Sequence, residues 1–546
     1  MLFDHTQLCP PEKVEVYDST LRDGAQAEGV NFSVRDKRLI AERLDKLGVH
    51  CIEGGWPNST NPIDTEFFQQ VKSLNLCAKV SAFGSTRKPV GNACDDATLR
   101  SLLDSETEVI ALFGKTWMLH VRDVLRTDAD ENLRMIESSV AYLVGLGREV
   151  VYDAEHFFDG YKNDPEYAVK TLKAAISGGA RIVVLCDTNG GTQTLELAWI
   201  IDCVKKHLGG FLFGIHTHND TGMAEANTST AVLLGATQIQ GTFNGYGERC
   251  GNANLCTVLP NLEFKHQVRT IGPENLGRLM EFSRYLSEMA NVAHDHRQPW
   301  VGESAFAHKG GAHADAARKN PVSFEHEPPE KTGNERRILV SGQAGTSTVV
   351  QKLDHLYHAL DKRDPRVVTL LHILKQREHE GWMFEAAEAT FEILARHIIE
   401  GIPKPFKLEE RQCIDRKIIL PDGGEAEVSD AIVKLWVNGN FRHFPGTGDG
   451  PVNALDLALR RALLKAYSCL ESVRLEDYKV RVLNGGGTAS KVRVLIEASD
   501  GTLVWSTVGV STNVIEASWL GLVDMYWYKL LLDGVEIAEN HEFPKE

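Results

Sequence analysis

The amino-acid sequence predicts an α/β fold: a (β/α)8 TIM barrel over residues 1–285, a helical lid and linker region over 286–408, and a duplicated α+β domain over 409–546. Three observations predict it. The first half alternates short β-branched runs with stretches of helical period. Eight such units fall within about 250 residues, the usual size of a closed barrel. The last part repeats its own pattern. A doubly wound open sheet would show the same alternation, and the count of eight favours closure.

The strands are expected at Val14–Tyr17, Cys51–Gly55, Ala78–Phe83, Glu108–Phe113, Glu149–Ala154, Arg181–Cys186, Phe211–His216 and Thr237–Thr242. Helical period runs between them, as in Val34–Leu47 and Glu131–Leu146, the latter after an Asp-rich start that suits a helix N-terminus. Past Pro273 the rhythm changes. FAHKGGAHADAARKNP and SFEHEPPEKTGNERR read as loop or lid material, Thr346–Ile399 as helical and IPKPFK as a linker. In the last domain AIVKLWVNGNFRHFPGTGDGPVNALDLALRRAL resembles KVRVLIEASDGTLVWSTVGVSTNVIEASWLGLV, each with two strands, a Gly/Thr loop, an asparagine and an amphipathic helix. The asparagines, Asn453 and Asn513, are 60 positions apart. A pseudo-twofold domain of this kind can hold a small ligand at its interface, whereas two unrelated hairpins would not, so both asparagines are candidate regulatory positions.

Composition narrows the function. The chain carries 59 Lys+Arg against 75 Asp+Glu, a net charge of −16, which speaks against nucleic acid or an acidic membrane surface as partner. With 42% hydrophobic and 25% charged residues it is an ordinary globular composition. No apolar run approaches the roughly 18 residues of a membrane span. The start, MLFDHTQLCPPEK, has neither a basic nor an apolar export region, so a cytoplasmic location is expected. The 10 cysteines are scattered without a CxxC pair, which argues against structural zinc and disulfides.

Ligands of barrels collect at the carboxyl ends of strands, and five of the expected strand ends are polar: DSTLRDGAQ, DAEH, CDTNGG, HTHND and NGYGERCGNAN. In His216-Thr217-His218 the period of two places both imidazoles on one face of a strand, where they can converge on one ion. Paired histidines on strands also occur without a metal. Asp23, approaching from the first strand, would complete two imidazoles and one carboxylate with open positions, the pattern of a catalytic site; otherwise it is a loop cap. Arg22 offers a forked cation to a carboxylate or oxyanion, or else a structural ion pair. Glu155 is a candidate base or the partner of a nearby arginine. His308 and His313 lie on a Gly-rich segment that could close over a site.

At this point the motifs resemble a known family. LRDGAQ, HTHND, GERCGNAN and HKGGAHADA together resemble the acyl-CoA-condensing metalloenzymes related to isopropylmalate, homocitrate and citramalate synthases, and the C-terminal repeat resembles their regulatory, LeuA dimer-like domain. The resemblance implies that Asp23, His216 and His218 bind a divalent metal (Mg, Mn, Co or Zn), with Asn252 nearby. It implies that Arg22 stabilises charge on the keto oxygen, that Thr188 holds the 2-oxo acid carboxylate and that Glu155 acts in the catalytic network. His313 matches the residue implicated in deprotonating acetyl-CoA, often supplied by the partner subunit, which implies a homodimer. EGGWPNSTNP, FGKTW, YDAEHFFDGY and LCDTNGGT are most similar to the branch that condenses pyruvate with acetyl-CoA, with isoleucine as the inhibitor the family implies. One departure is Phe324, where relatives commonly carry a tyrosine. Condensation with another 2-oxo acid, the reverse cleavage by a lyase, and an inactive amino-acid-binding paralogue are the competing readings.

Overall fold

A computed structural model describes residues 8–309, 316–317, 319–338, 346–353, 355–358, 360–419, 425–483 and 487–537. The chain divides into two compact units, the described residues of Met1–Phe306 with Glu327–Arg336, and those of Ala307–His326 with Arg337–Glu546. Among the described residues, no helix is long and apolar enough to cross a membrane.

The first unit is a closed, parallel eight-stranded barrel. Its strands are β1 (Glu15–Asp18), β2 (Cys51–Gly55), β3 (Lys79–Ser85), β4 (Val109–Lys115), β5 (Glu149–Glu155), β6 (Ile182–Asp187), β7 (Phe213–Thr217) and β8 (Gln238–Gly241). Tyr17 of β1 registers with both Cys51 and Gln240, which closes the ring. Each strand lies within a residue or two of its expected position, because a buried parallel strand is an almost continuous apolar run.

Local chemistry explains the helix ends. Helix α1 (Val34–Leu47) opens on a capping box, Ser33 Oγ accepting from Asp36 N while Asp36 accepts from Ser33 N, and stops at Gly48 with φ 86°. Helix α2 (Pro62–Val71) has proline in its first turn and Asn61 as cap. The Asp-rich start noted above is the cap of α3 (Ala129–Gly145), where Asp128 accepts from Glu131 N at 2.8 Å.

Alternation along the strands builds two layers. Ile110, Leu112, Val183 and Leu185 point outward into the core beneath the helices. Val109, Ala111, Val151, Ile182 and Val184 point inward and fill the barrel with Tyr17 and Cys51. Towards the carboxyl ends the inward positions turn polar: Glu53, Ser81, Asp153, His216 and Gln240 are all buried. An apolar layer therefore lies beneath an ionisable mouth.

The second unit holds helices α4 (Thr346–Lys352), α5 (Pro365–His379) and α6 (Glu388–Ile399), then two βββα halves. The first half is an antiparallel sheet of β11 (Lys407–Ile419), β12 (Glu425–Val437) and β13 (Asn440–Gly448), covered by α7 (Pro451–Leu464). The second repeats it with β14 (Arg474–Val482), β15 (Val492–Ser499), β16 (Val504–Ser511) and α8 (Val514–Leu532). The short β9 (Ala307–His308) and β10 (Arg337–Ile338) pair in parallel, which joins the described residues of 307–326 to this unit. Two strands per half were expected; the structure has three. The additional strand of the first half, KLEERQCIDRKII, is charged on both faces and largely exposed, so it carries no alternation to read. The halves share one packing device. A Cβ at Gly446 of β13 or Gly509 of β16 would collide with the backbone of α7 or α8, so glycine lets each helix cross its sheet closely.

One buried ion pair fixes the loop after β2. Lys37 of α1 pairs with Asp64 and donates to Gly54 O at 3.0 Å, while Asp64 accepts from Trp56 N at 2.8 Å and Asn61 Nδ2 at 2.7 Å. Removing the cation leaves a buried carboxylate without its counter-charge. Lys37→Met is expected to destabilise the barrel by about 3–5 kcal/mol, read as a lower urea midpoint of the barrel transition; an unchanged midpoint would show the pair to be dispensable.

Candidate active site

The turn after β1 is closed by Arg22 N and Gly24 N donating to Ser19 O, and it delivers Arg22 and Asp23 to the barrel mouth. Arg22 is held on three sides. Its Nε donates to Glu53 Oε2 at 2.5 Å, its Nη1 to Asp23 Oδ2 at 3.0 Å, and its guanidinium carbon lies 3.8 Å from the centre of the Phe83 ring. Glu53 is fully buried and also accepts from Tyr17 Oη at 2.8 Å and from Ser19 Oγ. Burial opposes the charge on Arg22, but Glu53 and Asp23 outweigh it and its pKa is raised. Burial likewise opposes the charge on Asp23. Arg22, His216, His218 and the Asn252 amide outweigh it, and the pKa falls to about 2.

His216 and His218 meet Asp23 as the period of two requires. Their Nε2 atoms lie 3.5 and 4.0 Å from Asp23 Oδ2, and their ring centres are 5.2 Å apart. Burial, with His216 adding to it, lowers the His218 pKa to about 4, so its imidazole is neutral near pH 7. The tautomer of His216 follows from its neighbours. Gln240 Nε2 donates to Asp153 Oδ1 at 3.0 Å, which turns Gln240 Oε1 toward His216 Nδ1 at 2.8 Å. Nδ1 therefore carries a proton, and Nε2 is the nitrogen turned toward Asp23.

One ligand atom from each of Asp23, His216 and His218 can be chosen so that all three lie within 4.8 Å of one another, and all three residues are buried. Beside them, Asn252 donates Nδ2 to Asp23 Oδ1 at 3.1 Å, while its Oδ1 and His218 Nδ1 are buried polar atoms without a hydrogen-bond partner among the described residues. A carboxylate, two imidazoles and an amide oxygen in this arrangement suit a divalent cation with open positions.

The remaining expected residues spread around the mouth. Glu155, at the end of β5, is ion-paired with Lys115; among the described residues it makes no hydrogen bond to the Asp23 cluster through its side chain. Thr188 accepts from His156 N at 2.8 Å through its hydroxyl, and its carbonyl accepts from Arg249 Nη2 at 2.7 Å. Asp220 forms a two-point pair with Arg249. His308 meets Glu325 at 3.0 Å within the second unit, and Phe324 is 47% exposed. His313 lies outside the described residues. In the repeat, Asn513 caps α8 by accepting from Ile515 N at 2.8 Å, and Asn453 Oδ1 accepts from Asp449 N at 3.3 Å.

Sequence reasoning missed three features. Glu53 is one; its signal was an acid in the otherwise apolar strand CIEGG. The His216–Gln240–Asp153 chain is another, which only the closure of β5, β7 and β8 around one axis assembles. The third is an aromatic wall: Phe83 stacks on Phe113 at 5.2 Å between ring centres, and Trp56 meets both edge-on at 5.8 and 5.6 Å. Gln240→Leu is expected to weaken Mn2+ binding by about 10–100-fold in a titration followed by electron paramagnetic resonance. Unchanged affinity would mean that His216 needs no orienting partner.

Comparison with known proteins follows these divisions. The HMGL-like family model matches residues 13–285, a homocitrate synthase post-HMGL domain-like model matches 300–378, and the LeuA allosteric (dimerisation) domain matches 385–530. An (R)-citramalate synthase of Aquifex aeolicus is 49% identical over 96% of this chain and 99% of its own. One of Geobacter sulfurreducens is 48% identical over 95% and 97%. A 2-isopropylmalate synthase of Methanocaldococcus jannaschii is only 28% identical, over 94% of each chain. Matched domain by domain and at nearly half identity over almost the full length, this chain belongs to the HMGL-like family, among its citramalate synthases.

Proposed function

We propose that this enzyme condenses acetyl-CoA with pyruvate and hydrolyses the thioester, giving (R)-citramalate and CoA. The observation that carries the choice of 2-oxo acid is the aromatic wall. Phe83, Phe113 and Trp56 stand beside Arg22, the group that would take the substrate's charge. Rings so placed would face the group carried on C2 of the substrate, and they suit the methyl of pyruvate better than an isopropyl or carboxyethyl group.

Asp23, His216 and His218 would hold a divalent cation, which supplies Lewis-acid polarisation of the 2-oxo group. The chain's own residues do the rest. Arg22 has Nε and Nη1 committed to Glu53 and Asp23, so Nη2 is the nitrogen left to meet the oxygen on which charge develops. Held by two carboxylates and a ring, it needs no reorganisation as that charge forms. Thr188 would receive the substrate carboxylate and Asn252 would orient Asp23. A base removes a proton from the acetyl methyl, the methyl carbon bonds to C2 of pyruvate, and the C2 oxygen takes up a proton. Water then cleaves the thioester and CoA leaves, which makes the condensation effectively irreversible. His313 acting with Glu155 is our assignment for the base.

The C-terminal halves support feedback control and homodimer formation, the description carried by the domain they match. Isoleucine would bind in the crevice around Asn453 and Asn513, placing the enzyme in isoleucine biosynthesis in the cytoplasm. The local geometry supports a crevice there: Arg411 of β11 bonds Ile515 O and Glu516 at the start of α8, and Cys413, two residues on, approaches Pro451 O at the start of α7.

A thiol-release assay with acetyl-CoA over a panel of 2-oxo acids tests the reading. Pyruvate should exceed 2-oxoisovalerate and 2-oxoglutarate in kcat/KM by about 100-fold or more, with turnover abolished by chelation and restored by added divalent metal. In Phe113→Ala the preference should move toward 2-oxoisovalerate. Equal turnover of the larger acids by the unaltered enzyme would sink the pyruvate assignment.

A further inference from the structure

Thr188, which would receive the substrate carboxylate, is held from two sides by residues whose backbone is left-handed. His156 N donates to its hydroxyl oxygen at 2.8 Å, and Arg249 Nη2 donates to its carbonyl at 2.7 Å. His156 has φ 55° and Arg249 φ 56°. Residues other than glycine seldom adopt this region, histidine more readily than most, and such conformations gather where function requires them.

Strand β5 ends at Glu155, and His156 then opens the short helix Phe157–Asn163 without a side-chain bond to the free N–H groups of its first turn. The left-handed turn sends the His156 N–H across to the loop after β6 instead. The side chain holds that turn in place. His156 Nδ1 lies 3.2 Å from Asp159 Oδ2, an acceptor, so Nδ1 carries a proton. The same oxygen accepts from Asn189 Nδ2 at 2.9 Å, and Asn189 follows Thr188 in the chain. The bonds from His156 to Thr188 and from His156 through Asp159 to Asn189 close a ring between the two loops. His120 packs edge-on against the His156 imidazole, with ring centres 4.4 Å apart.

This arrangement sets the direction of one proton. A threonine hydroxyl has one hydrogen to give and lone pairs to receive. Among the described residues, the Thr188 hydroxyl oxygen bonds only the His156 N–H, which uses a lone pair and leaves the hydroxyl hydrogen for another acceptor. We propose that His156 is a positioning residue for the 2-oxo acid: its left-handed backbone, held by Asp159, makes the Thr188 hydroxyl a donor to the substrate carboxylate. The inference rests on the reading that Thr188 receives that carboxylate. It applies to any 2-oxo acid, since all of them carry the group. The carboxylate does not react, so the bond is the same before and during carbon–carbon bond formation, and its loss raises KM while sparing kcat.

Steady-state kinetics of the full-length enzyme on its preferred 2-oxo acid, with saturating divalent metal and acetyl-CoA, test this. Thr188→Val, which deletes the hydroxyl, should raise KM for the 2-oxo acid about tenfold, the worth of a hydrogen bond to a charged group. His156→Val, β-branched and so opposed to a left-handed backbone, should raise it by a similar factor with kcat little changed. It should leave KM for acetyl-CoA and the affinity for Mn2+ as they were, whereas general loosening of the mouth would shift both. His156→Asn, which tolerates the left-handed backbone, should recover most of the loss. In Thr188→Val/His156→Val the two effects should not multiply, because no hydroxyl is left for the second change to act on. Should His156→Val fail to fold, Asp159→Ala, which releases the imidazole, should raise KM when Thr188 is present and not in the Thr188→Val background. An unchanged KM in Thr188→Val would sink the placement of the carboxylate, and the inference with it. A raised KM in Thr188→Val with a normal one in His156→Val, no recovery in His156→Asn, or effects that multiply would overturn the role of His156 alone.

Discussion

The buried carboxylate of Glu53 constrains the whole mouth of the barrel. A charge with no access to solvent must be met by donors from the protein, and Glu53 draws them from Tyr17, Ser19 and Arg22. Those contacts tie β1, the turn after it and β2 into one rigid corner. Arg22, so fixed, passes its remaining charge to Asp23, which holds the aspartate ionised beside two imidazoles. An acid with no access to solvent thus sets the position of Arg22 and Asp23 at the mouth.

The same alternation that packs the barrel also creates its site. Val109, Val151 and Ile182 point inward and form an apolar layer. Nearer the carboxyl ends, inward side chains become Asp153, His216 and Gln240, still buried but able to pair with one another across the barrel. Burial raises the pKa of Asp153 to about 6, with Glu53 adding to it, while the Gln240 amide and His216 pull the other way. The pair of opposed shifts, Asp153 up and Asp23 down, separates a network that orients His216 from a carboxylate free to ligate.

Much of this was legible in the residues. Buried parallel strands are apolar runs, so β2, β4, β5 and β6 could be placed almost to the residue, and the HxH spacing specified convergence on one face before any fold was known. What stayed hidden depends on closure. Gln240 lies 24 positions from His216 and 87 from Asp153, and nothing local in QIQG marks it as the link between them. Phe83 and Phe113 look like core residues in a strand and become one aromatic wall only because β3 and β4 register side by side. In the repeat, the charged strand KLEERQCIDRKII hid the third strand of its half, since neither face is apolar.

The central claim is that Asp23, His216 and His218 form one cation site into which Arg22 directs a 2-oxo acid. Electron–nuclear double resonance of the Mn2+-loaded protein with 13C-labelled pyruvate tests it most directly. The account predicts nitrogen couplings from two imidazoles, reduced to one in His218→Ala, together with a carbon coupling from pyruvate that weakens in Arg22→Lys. Bound Mn2+ without imidazole coupling, or pyruvate bound with no coupling to the metal, would contradict it.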